Sequence, residues 1–180
     1  RAVVADVGAA GHPGLTGGTY LAESLEHNEY GYPDQTPENH QAMMQKRANK
    51  VETARKMLAS WRMTSRRWGK RDAPFGIIGW GSPRGAVREA MDRLRRQGVP
   101  VEAIYPHTLL PMPDQAIEDF IESKRALLVP ELNFSGQFGR MIEHRYYRTL
   151  DEHNIHVYHC KKEQGEPFKI REITEAVLNM

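Results

Sequence analysis

Cysteine is almost absent from this chain, and its scarcity excludes several kinds of site. The 180 residues contain one cysteine, Cys160. A disulfide needs a second cysteine, and an iron–sulfur cluster needs about four thiolates. Neither can form within this sequence, and a cysteine-held metal site is excluded with them. A single thiol fits a reducing, cytoplasmic setting.

Long apolar runs are also missing. A membrane span needs about 18 or more consecutive apolar residues, whereas the apolar residues here form runs of strand length. The chain starts at Arg1 without an initiator methionine, and it shows no signal or transit sequence. We therefore expect a cytoplasmic chain with no membrane partner, and a fragment or processed piece of a longer protein.

Acidic residues are scarce in one stretch, although the net charge of the whole chain is only +2. From Lys46 to Arg71, ten Lys and Arg residues stand against one acid, Glu52. Trp61 and Trp68 lie among these cations, a combination typical of nucleic-acid binders. A solvated helix face, or a surface that docks an acidic protein, explains the pattern equally well. Nucleic-acid binding through residues 46–71 therefore remains an alternative function.

Glycine and turn-forming residues dominate the first 37 positions, which we interpret as mostly loop. Thr36 and Pro37 then predict a helix start, and the helix runs to Trp61. The segment "WGKRDAPFG", 68–76, is typical of a linker. Beyond it, predicted strands at 76–80, 101–110, 126–132 and 155–160 alternate with predicted helices at 84–97, 114–124, 136–150 and 170–179. Such alternation indicates an α/β fold of three layers around a mostly parallel sheet.

The stretch "IIGWGSPRGAVREA", 77–90, reads as strand, glycine turn and helix. Its glycines, Gly79, Gly81 and Gly85, resemble the turn by which a βαβ unit binds a dinucleotide. That site also needs an acid at the end of the second strand to hold a ribose hydroxyl. Here the second strand ends "AIYPHTLLP", and the nearest acid, Glu102, stands at its start. The dinucleotide interpretation therefore fails.

A structural role explains the same turn without any ligand. Ser82 and Pro83 supply a helix cap and a first-turn proline. A turn that serves a subunit interface is the remaining reading. Neither the structural role nor the interface role requires an acid at the end of the second strand, so both fit this sequence.

Two histidine-containing stretches are candidates for chemistry. "HNIHVYHC", 153–160, offers zinc-ligand types, but strand alternation sends His156 and Cys160 to one face and His159 to the other, so we expect no metal site. "ESLEHNEYG", 23–31, could bind a cation or perform acid–base work. A hydrogen-bonded loop with Asn28 as turn former is the favoured interpretation.

Four blocks, in this order, resemble the alpha subunit of thiamine-diphosphate-dependent 2-oxoacid:ferredoxin oxidoreductases, and the 2-oxoglutarate branch most closely. They are "SLEHNEYGYPDQTPENHQAMMQKRANK", "GIIGWGSPRGAVREAMDRL", "HTLLPMP" and "LLVPELNFSGQFGRMI". The resemblance covers 21–180. It implies a domain like the C-terminal domain of transketolase, in which the glycine turn serves subunit association.

The resemblance also implies an activity and its partners. These enzymes decarboxylate a 2-oxoacid oxidatively to an acyl-CoA and pass the electrons to ferredoxin. Thiamine diphosphate, magnesium and the iron–sulfur cluster are held mostly by the beta subunit, so we expect none bound by this chain alone and no activity from it. The implied partners are the beta subunit, ferredoxin, the 2-oxoacid and coenzyme A in an (alpha-beta)2 assembly, with no nucleic acid. A non-catalytic association domain of another thiamine enzyme is a second alternative.

The resemblance assigns residues as well. Residues 1–45 would end a pyrimidine-binding domain, 46–74 would form a basic helix and linker, and 75–180 would form the transketolase-like domain. No catalytic residue and no metal ligand is expected. Substrate binding is expected at Arg1, His27 and Glu29. A subunit interface is expected at Gly79, Gly81, Ser82, Glu131, Asn133 and Gln137.

Overall fold

The computed structural model describes residues 24–28 and 32–180. The chain groups into two compact units, Arg1–Ala54 and Arg55–Met180, which are described separately below. The helix α1, Pro37–Ser60, begins in the first unit and ends in the second.

A short paired segment precedes α1 in the first unit. His27 and Pro33 form an isolated antiparallel bridge, and the backbone N–H of Asp34 donates to the carbonyl of Glu26 at 2.9 Å. The hydroxyl of Thr36 accepts a hydrogen bond from the N–H of Asn39, so Thr36 caps the helix that begins at Pro37. The predicted start of this helix is confirmed. No residue of α1 is buried within the part of the chain that the structure describes.

The second unit is built on a five-stranded sheet in the order β1-β3-β2-β4-β5. The first strand is antiparallel to its neighbour, and the other pairings are parallel. The three central strands are apolar along almost their whole length because helices cover both faces. The strands are β1 (Ser65–Gly69), β2 (Phe75–Ile78), β3 (Val101–Pro106), β4 (Ala126–Glu131) and β5 (His156–Lys161).

Five helices cover the two faces of this sheet. They are α2 (Arg84–Arg96), α3 (Asp114–Ile121), α4 (Gln137–Arg145), α5 (Tyr147–Glu152) and α6 (Ile170–Leu178). On one face, α2 and α6 bury a cluster around Ile77, Leu94 and Ile173. On the other, α3, α4 and α5 bury a cluster around Ile104 and Phe120. The predicted three-layer, mostly parallel α/β fold is confirmed.

Three local predictions were wrong. The stretch that we interpreted as linker begins with the last two residues of β1, a strand that pairs with β3 along Ser65–Gly69. The single helix predicted at 136–150 is divided at Tyr146, whose hydroxyl donates to Asp114 on the preceding helix at 2.9 Å. Among the described residues, no side chain caps α2, so Ser82 does not have its expected capping role.

The division into 1–45, 46–74 and 75–180 stays a prediction. The first of these ranges includes residues outside the described part of the chain. The likeness of that range to the end of a pyrimidine-binding domain stays a prediction for the same reason.

Candidate functional site

A cleft of about 620 Å³ opens at the carboxyl ends of β2 and β4. The chain leaves β2 toward β3 on one side, while β4 pairs with the other side of β2. This reversal is the place where open α/β sheets leave a crevice for binding. Five of the six predicted interface residues line the cleft: Gly81, Ser82, Glu131, Asn133 and Gln137.

Glu131 connects the end of β4 to the first turn of α4. Its carboxylate accepts hydrogen bonds from the backbone N–H groups of Phe138, at 2.9 and 3.0 Å, and Gly139, at 3.2 Å. The side chain is buried. A helix N-terminus attracts anions through these same N–H groups. Because the protein's own carboxylate already occupies this position, the α4 end of the cleft is not a free phosphate site.

Asn133 fixes the shape of the loop between β4 and α4. Its side-chain oxygen accepts hydrogen bonds from the N–H of Ser135, the hydroxyl of Ser135 and the N–H of Gly136, at 2.9, 2.9 and 3.0 Å. Gly136 follows with a φ of 65°, a conformation that favours glycine. Glu131 and Asn133 therefore position the loop.

Apolar side chains form the exposed rim of this cleft, and the sequence reasoning did not identify them. Trp80 and Leu132 line it while 43% and 40% exposed. Phe134 and Leu110, each one or two positions from a lining residue, are 77% and 75% exposed. Large apolar side chains exposed together are typical of protein interaction sites. The sequence "ELNFSG" held one available signal, because its phenylalanine stands among turn-forming residues and not in a strand or helix pattern.

The glycine turn after β2 forms the other wall of the cleft. Gly81 has a φ of 67°, and a Cβ there would meet no atom within 4 Å, so its backbone conformation is what requires glycine. A Cβ on Gly79 would lie 2.6 Å from the hydroxyl of Tyr105, so Gly79 is required by packing. Gly79 does not line the cleft, and its interface role stays a prediction like that of the other five.

The end of β3 confirms that the dinucleotide acid is missing. Glu102 lies at the opposite end of that strand and is 1% exposed. Its carboxylate pairs with Arg67 at 2.8 Å and with Lys124 at 2.9 Å. Burial raises the pKa of Glu102, whereas the hydrogen bonds and charges of the two cations lower it. Together the cations have the larger effect, so the pKa lies below its ordinary value. This acid therefore belongs to a structural ion-pair network.

The predicted substrate-binding residues are only partly within the described chain. Arg1 and Glu29 lie outside it. His27 is half-buried, and its Nδ1 lies 2.9 Å from the carbonyl of Asn28. The neighbouring Glu26 contacts His40 at 2.7 Å and Arg47, and these contacts lower its pKa, the His40 hydrogen bond most of all. The described part of this loop is thus held by its own hydrogen bonds.

The histidine-rich strand follows the predicted alternation. Cys160 packs with the α2–α6 cluster, while His159 contacts Glu143 on α4 at 3.1 Å. Burial raises the pKa of Cys160 to about 11, so the thiol stays protonated at neutral pH. Across residues 24–28 and 32–180, no group of three His, Cys, Asp or Glu side chains is placed to hold a metal ion. In the same residues, no helix combines the length and apolarity that a membrane span requires.

The basic stretch 46–71 is divided between two elements, α1 and β1. Arg47 is paired with Glu26, and Arg67 is paired with Glu102. Part of its charge is therefore neutralised within the chain, and no observation favours a continuous nucleic-acid surface.

These features define a class: a three-layer α/β domain of the kind that ends transketolase, with an apolar cleft edge in place of a nucleotide site. The chain belongs to the pyruvate:ferredoxin oxidoreductase core domain II family, whose model matches residues 73–173, more than half of the chain. The resemblance found in the sequence is thereby confirmed.

Known proteins agree with this assignment. The alpha subunit of a 2-oxoacid:ferredoxin oxidoreductase from Saccharolobus solfataricus is 28% identical over 152 residues, 84% of this chain and 23% of that protein. A solved 2-oxoglutarate:ferredoxin oxidoreductase from Magnetococcus marinus, with 2-oxoglutarate, coenzyme A and succinyl-CoA bound, is 34% identical with a TM-score of 0.68. That match covers 93% of this chain and 27% of the other.

A split-gene transketolase, solved as an inactive β4 tetramer, shows the fold alone. It shares 18% identity and a TM-score of 0.50 over 63% of this chain and 40% of the other. This likeness confirms the predicted transketolase-like fold. The chain spans only 23–38% of the length of the first curated relatives it matches.

Proposed function

We propose that this chain is part of the alpha subunit of a 2-oxoacid:ferredoxin oxidoreductase that acts on 2-oxoglutarate. The enzyme would convert 2-oxoglutarate and coenzyme A to succinyl-CoA and CO₂, and it would pass two electrons to ferredoxin. The observation that carries this proposal is the 34% identity, over 93% of the chain, to an enzyme solved with 2-oxoglutarate, coenzyme A and succinyl-CoA.

Within that enzyme, the second unit of this chain serves association rather than chemistry. Its cleft is lined by the exposed Trp80 and Leu132, with the exposed Phe134 directly after the lining residue Asn133. The N-terminus of α4 is already occupied by the carboxylate of Glu131. A companion beta subunit is the occupant we infer for the apolar rim, in an assembly of two alpha and two beta subunits. Thiamine diphosphate, magnesium and the iron–sulfur cluster would be held mostly by that subunit.

Substrate contact is proposed for the first unit. Arg1 would pair with a substrate carboxylate through its planar guanidinium, which fits a carboxylate with two parallel hydrogen bonds. His27 and Glu29 would lie on the active-site loop. Support for this comes from the order of the sequence blocks and from the position of His27 beside Glu26 on a hydrogen-bonded loop.

The test uses the complete assembled enzyme, with its full alpha chain and companion subunit. We expect ferredoxin reduction that requires both 2-oxoglutarate and coenzyme A, with succinyl-CoA and CO₂ formed in equal amounts. Pyruvate and a branched 2-oxoacid serve as matched substrates and should be turned over at least tenfold more slowly. Equal rates with pyruvate would contradict the substrate assignment, and absence of ferredoxin reduction with every 2-oxoacid would contradict the reaction.

A further inference from the structure

A second groove, of about 700 Å³, shares no lining residue with the cleft and has a different chemical character. It runs between the end of β1, the outer face of α2 and the loop that leads into β3. Its apolar lining includes Met91, Val99 and Pro100, and the paired residues Asp92 and Arg95 line it as well. Its volume falls in the range of small-molecule sites, about 300–1,000 Å³.

Three guanidinium groups gather around the indole of Trp68, which lines this groove together with one of the three, Arg88. Arg66, Arg84 and Arg88 lie 5.9, 5.7 and 5.8 Å from the ring centroid of Trp68. Cation–π attraction holds each of them near the ring. It does not neutralise their charge, and in the described chain no carboxylate is paired with any of the three. Lys70 adds a further cation to the lining.

The other arginines of α2 are paired with acids on the same helix. Arg93 and Arg96 approach Glu89 at 3.1 and 3.8 Å, and Arg95 approaches Asp92 at 3.7 Å. These three stand in the last turn of α2, where the helix dipole favours cations. Their placement is electrostatically ordinary.

Arg84 and Arg88, by contrast, stand where positive charge is disfavoured. Arg84 is the first residue of α2, its first turn has no acid, and Arg88 follows it at the i,i+4 spacing at which like charges repel. An edge strand commonly carries a charged residue to prevent aggregation, which accounts for Arg66 but not for two residues of a helix. Positive charge that no acid neutralises, beside an apolar groove, indicates a site for an anionic ligand.

We propose that this groove binds a nucleotide, with its phosphates at Arg66, Arg84 and Arg88 and its base along the apolar lining. Arginine suits phosphate because its planar fork donates two parallel hydrogen bonds. The proposal does not rest on the proposed function, because none of its residues has a role in that proposal.

The experiment is calorimetric titration of the assembled enzyme with ATP. Saturating coenzyme A is present throughout, so that a pocket for that cofactor elsewhere is filled. We expect ATP to bind, and the double variant R84Q/R88Q to weaken binding at least tenfold. Arg93→Gln is the matched control on the same helix and should change the affinity less than twofold. Inorganic tripolyphosphate and adenosine, which each supply half of the ligand, should both bind more weakly than ATP.

If R84Q/R88Q fails to fold, Trp68→Phe and Arg88→Lys replace it, and each should weaken ATP binding at least threefold. Equal affinity in the parent and these variants, or no ATP binding at all, would overturn the proposal. Binding of a single-stranded oligonucleotide far more tightly than ATP, with a steep salt dependence, would overturn it in favour of a nucleic-acid surface.

Discussion

The two ends of the sheet in the second unit differ in which kind of side chain is buried and which is exposed. At the amino end of β3, the charged side chains of Glu102, Lys124 and Arg67 are drawn inside and paired with one another. At the carboxyl ends of β2 and β4, apolar side chains such as Trp80 and Phe134 are left outside. Charged side chains are therefore buried at the amino end. Apolar side chains are exposed at the carboxyl end, where we propose that another subunit docks.

The difference separates stability from association. A buried ion pair contributes little net stability, but breaking one partner leaves a buried charge without compensation. An exposed apolar side chain contributes almost nothing to the fold and can contribute a great deal to an interface. Substitutions at the two ends should therefore have effects on different measurements.

The largest expected effect on stability is at the amino end. Glu102→Gln removes the carboxylate and leaves the ammonium of Lys124 buried without its charged partner, 4.5 Å from the ring centroid of Phe120. We expect the free energy of unfolding to fall by about 3–5 kcal/mol in urea denaturation. Glu89→Gln, which breaks an exposed pair on α2, should cost less than about 1 kcal/mol. Equal losses in both variants would contradict the distinction between the two ends.

Acid should weaken the protein through the same carboxylate and through Asp114. The hydrogen bond from Arg145 is the main cause that lowers the pKa of Asp114, and the pKa of Glu102 is lowered as well. A carboxyl group with a lowered folded-state pKa stabilises above its unfolded-state pKa, and that stability is lost as the pH falls through the folded-state pKa. We expect the free energy of unfolding to decline below about pH 5.

The acid dependence is measured by urea denaturation from neutral pH downward. In Glu102→Gln the decline should be shallower, because one of the two carboxyl groups no longer takes up a proton. An unchanged slope in that variant would show that Glu102 does not carry the acid sensitivity.

Glu131 should have the next smaller effect, because it holds the loop that presents the apolar rim. Glu131→Ala removes the acceptor for the N–H groups of Phe138 and Gly139 and should cost about 1.5–3 kcal/mol of the free energy of unfolding. Glu131→Gln keeps an acceptor oxygen and should lose less. Glu143→Gln on the same helix α4 is the exposed control, and a loss in this control as large as in Glu131→Ala would contradict the anchoring role of Glu131.

The central strands and their helices could be predicted from the sequence because local information specifies them. Runs such as "ALLV" are apolar throughout, and the helices between them carry apolar residues at helical spacing. β1 could not be predicted in this way, since "SRRWG" is mostly polar and becomes a strand only by pairing with β3. The break between α4 and α5 likewise accompanies a long-range contact, that of Tyr146 with Asp114.

The sequence predicted several residues that shape the candidate site, but it did not predict the exposed apolar side chains around it. Gly81, Glu131 and Asn133 were found through the resemblance, and they shape the cleft. Phe134 and Leu132 were missed because apolar residues in a sequence are assigned to the core by default, and the turn-forming residues around Phe134 were the one local signal against that assignment. The Glu102–Lys124 pair was missed because its members stand 22 positions apart.

The smallest expected effect is at Tyr105, near the carboxyl end of β3. In the described residues its hydroxyl is the one buried side-chain polar atom without a hydrogen-bond partner, and burial raises its pKa. Tyr105→Phe should therefore stabilise the chain by about 0.5–1 kcal/mol in urea denaturation. A loss of more than about 1 kcal/mol would show that the hydroxyl is satisfied after all.

Subunit docking at the carboxyl end of the sheet is tested by the affinity of the full alpha chain for its companion beta subunit, measured with L132S/F134S. We expect at least a tenfold weaker affinity with the free energy of unfolding unchanged within about 0.5 kcal/mol, because both side chains are exposed in this chain. Leu178→Ser, an exposed apolar change on α6, is the control and should leave the affinity unchanged. Affinity that is the same in L132S/F134S as in the control would contradict the claim that the carboxyl end of the sheet is where the subunits meet.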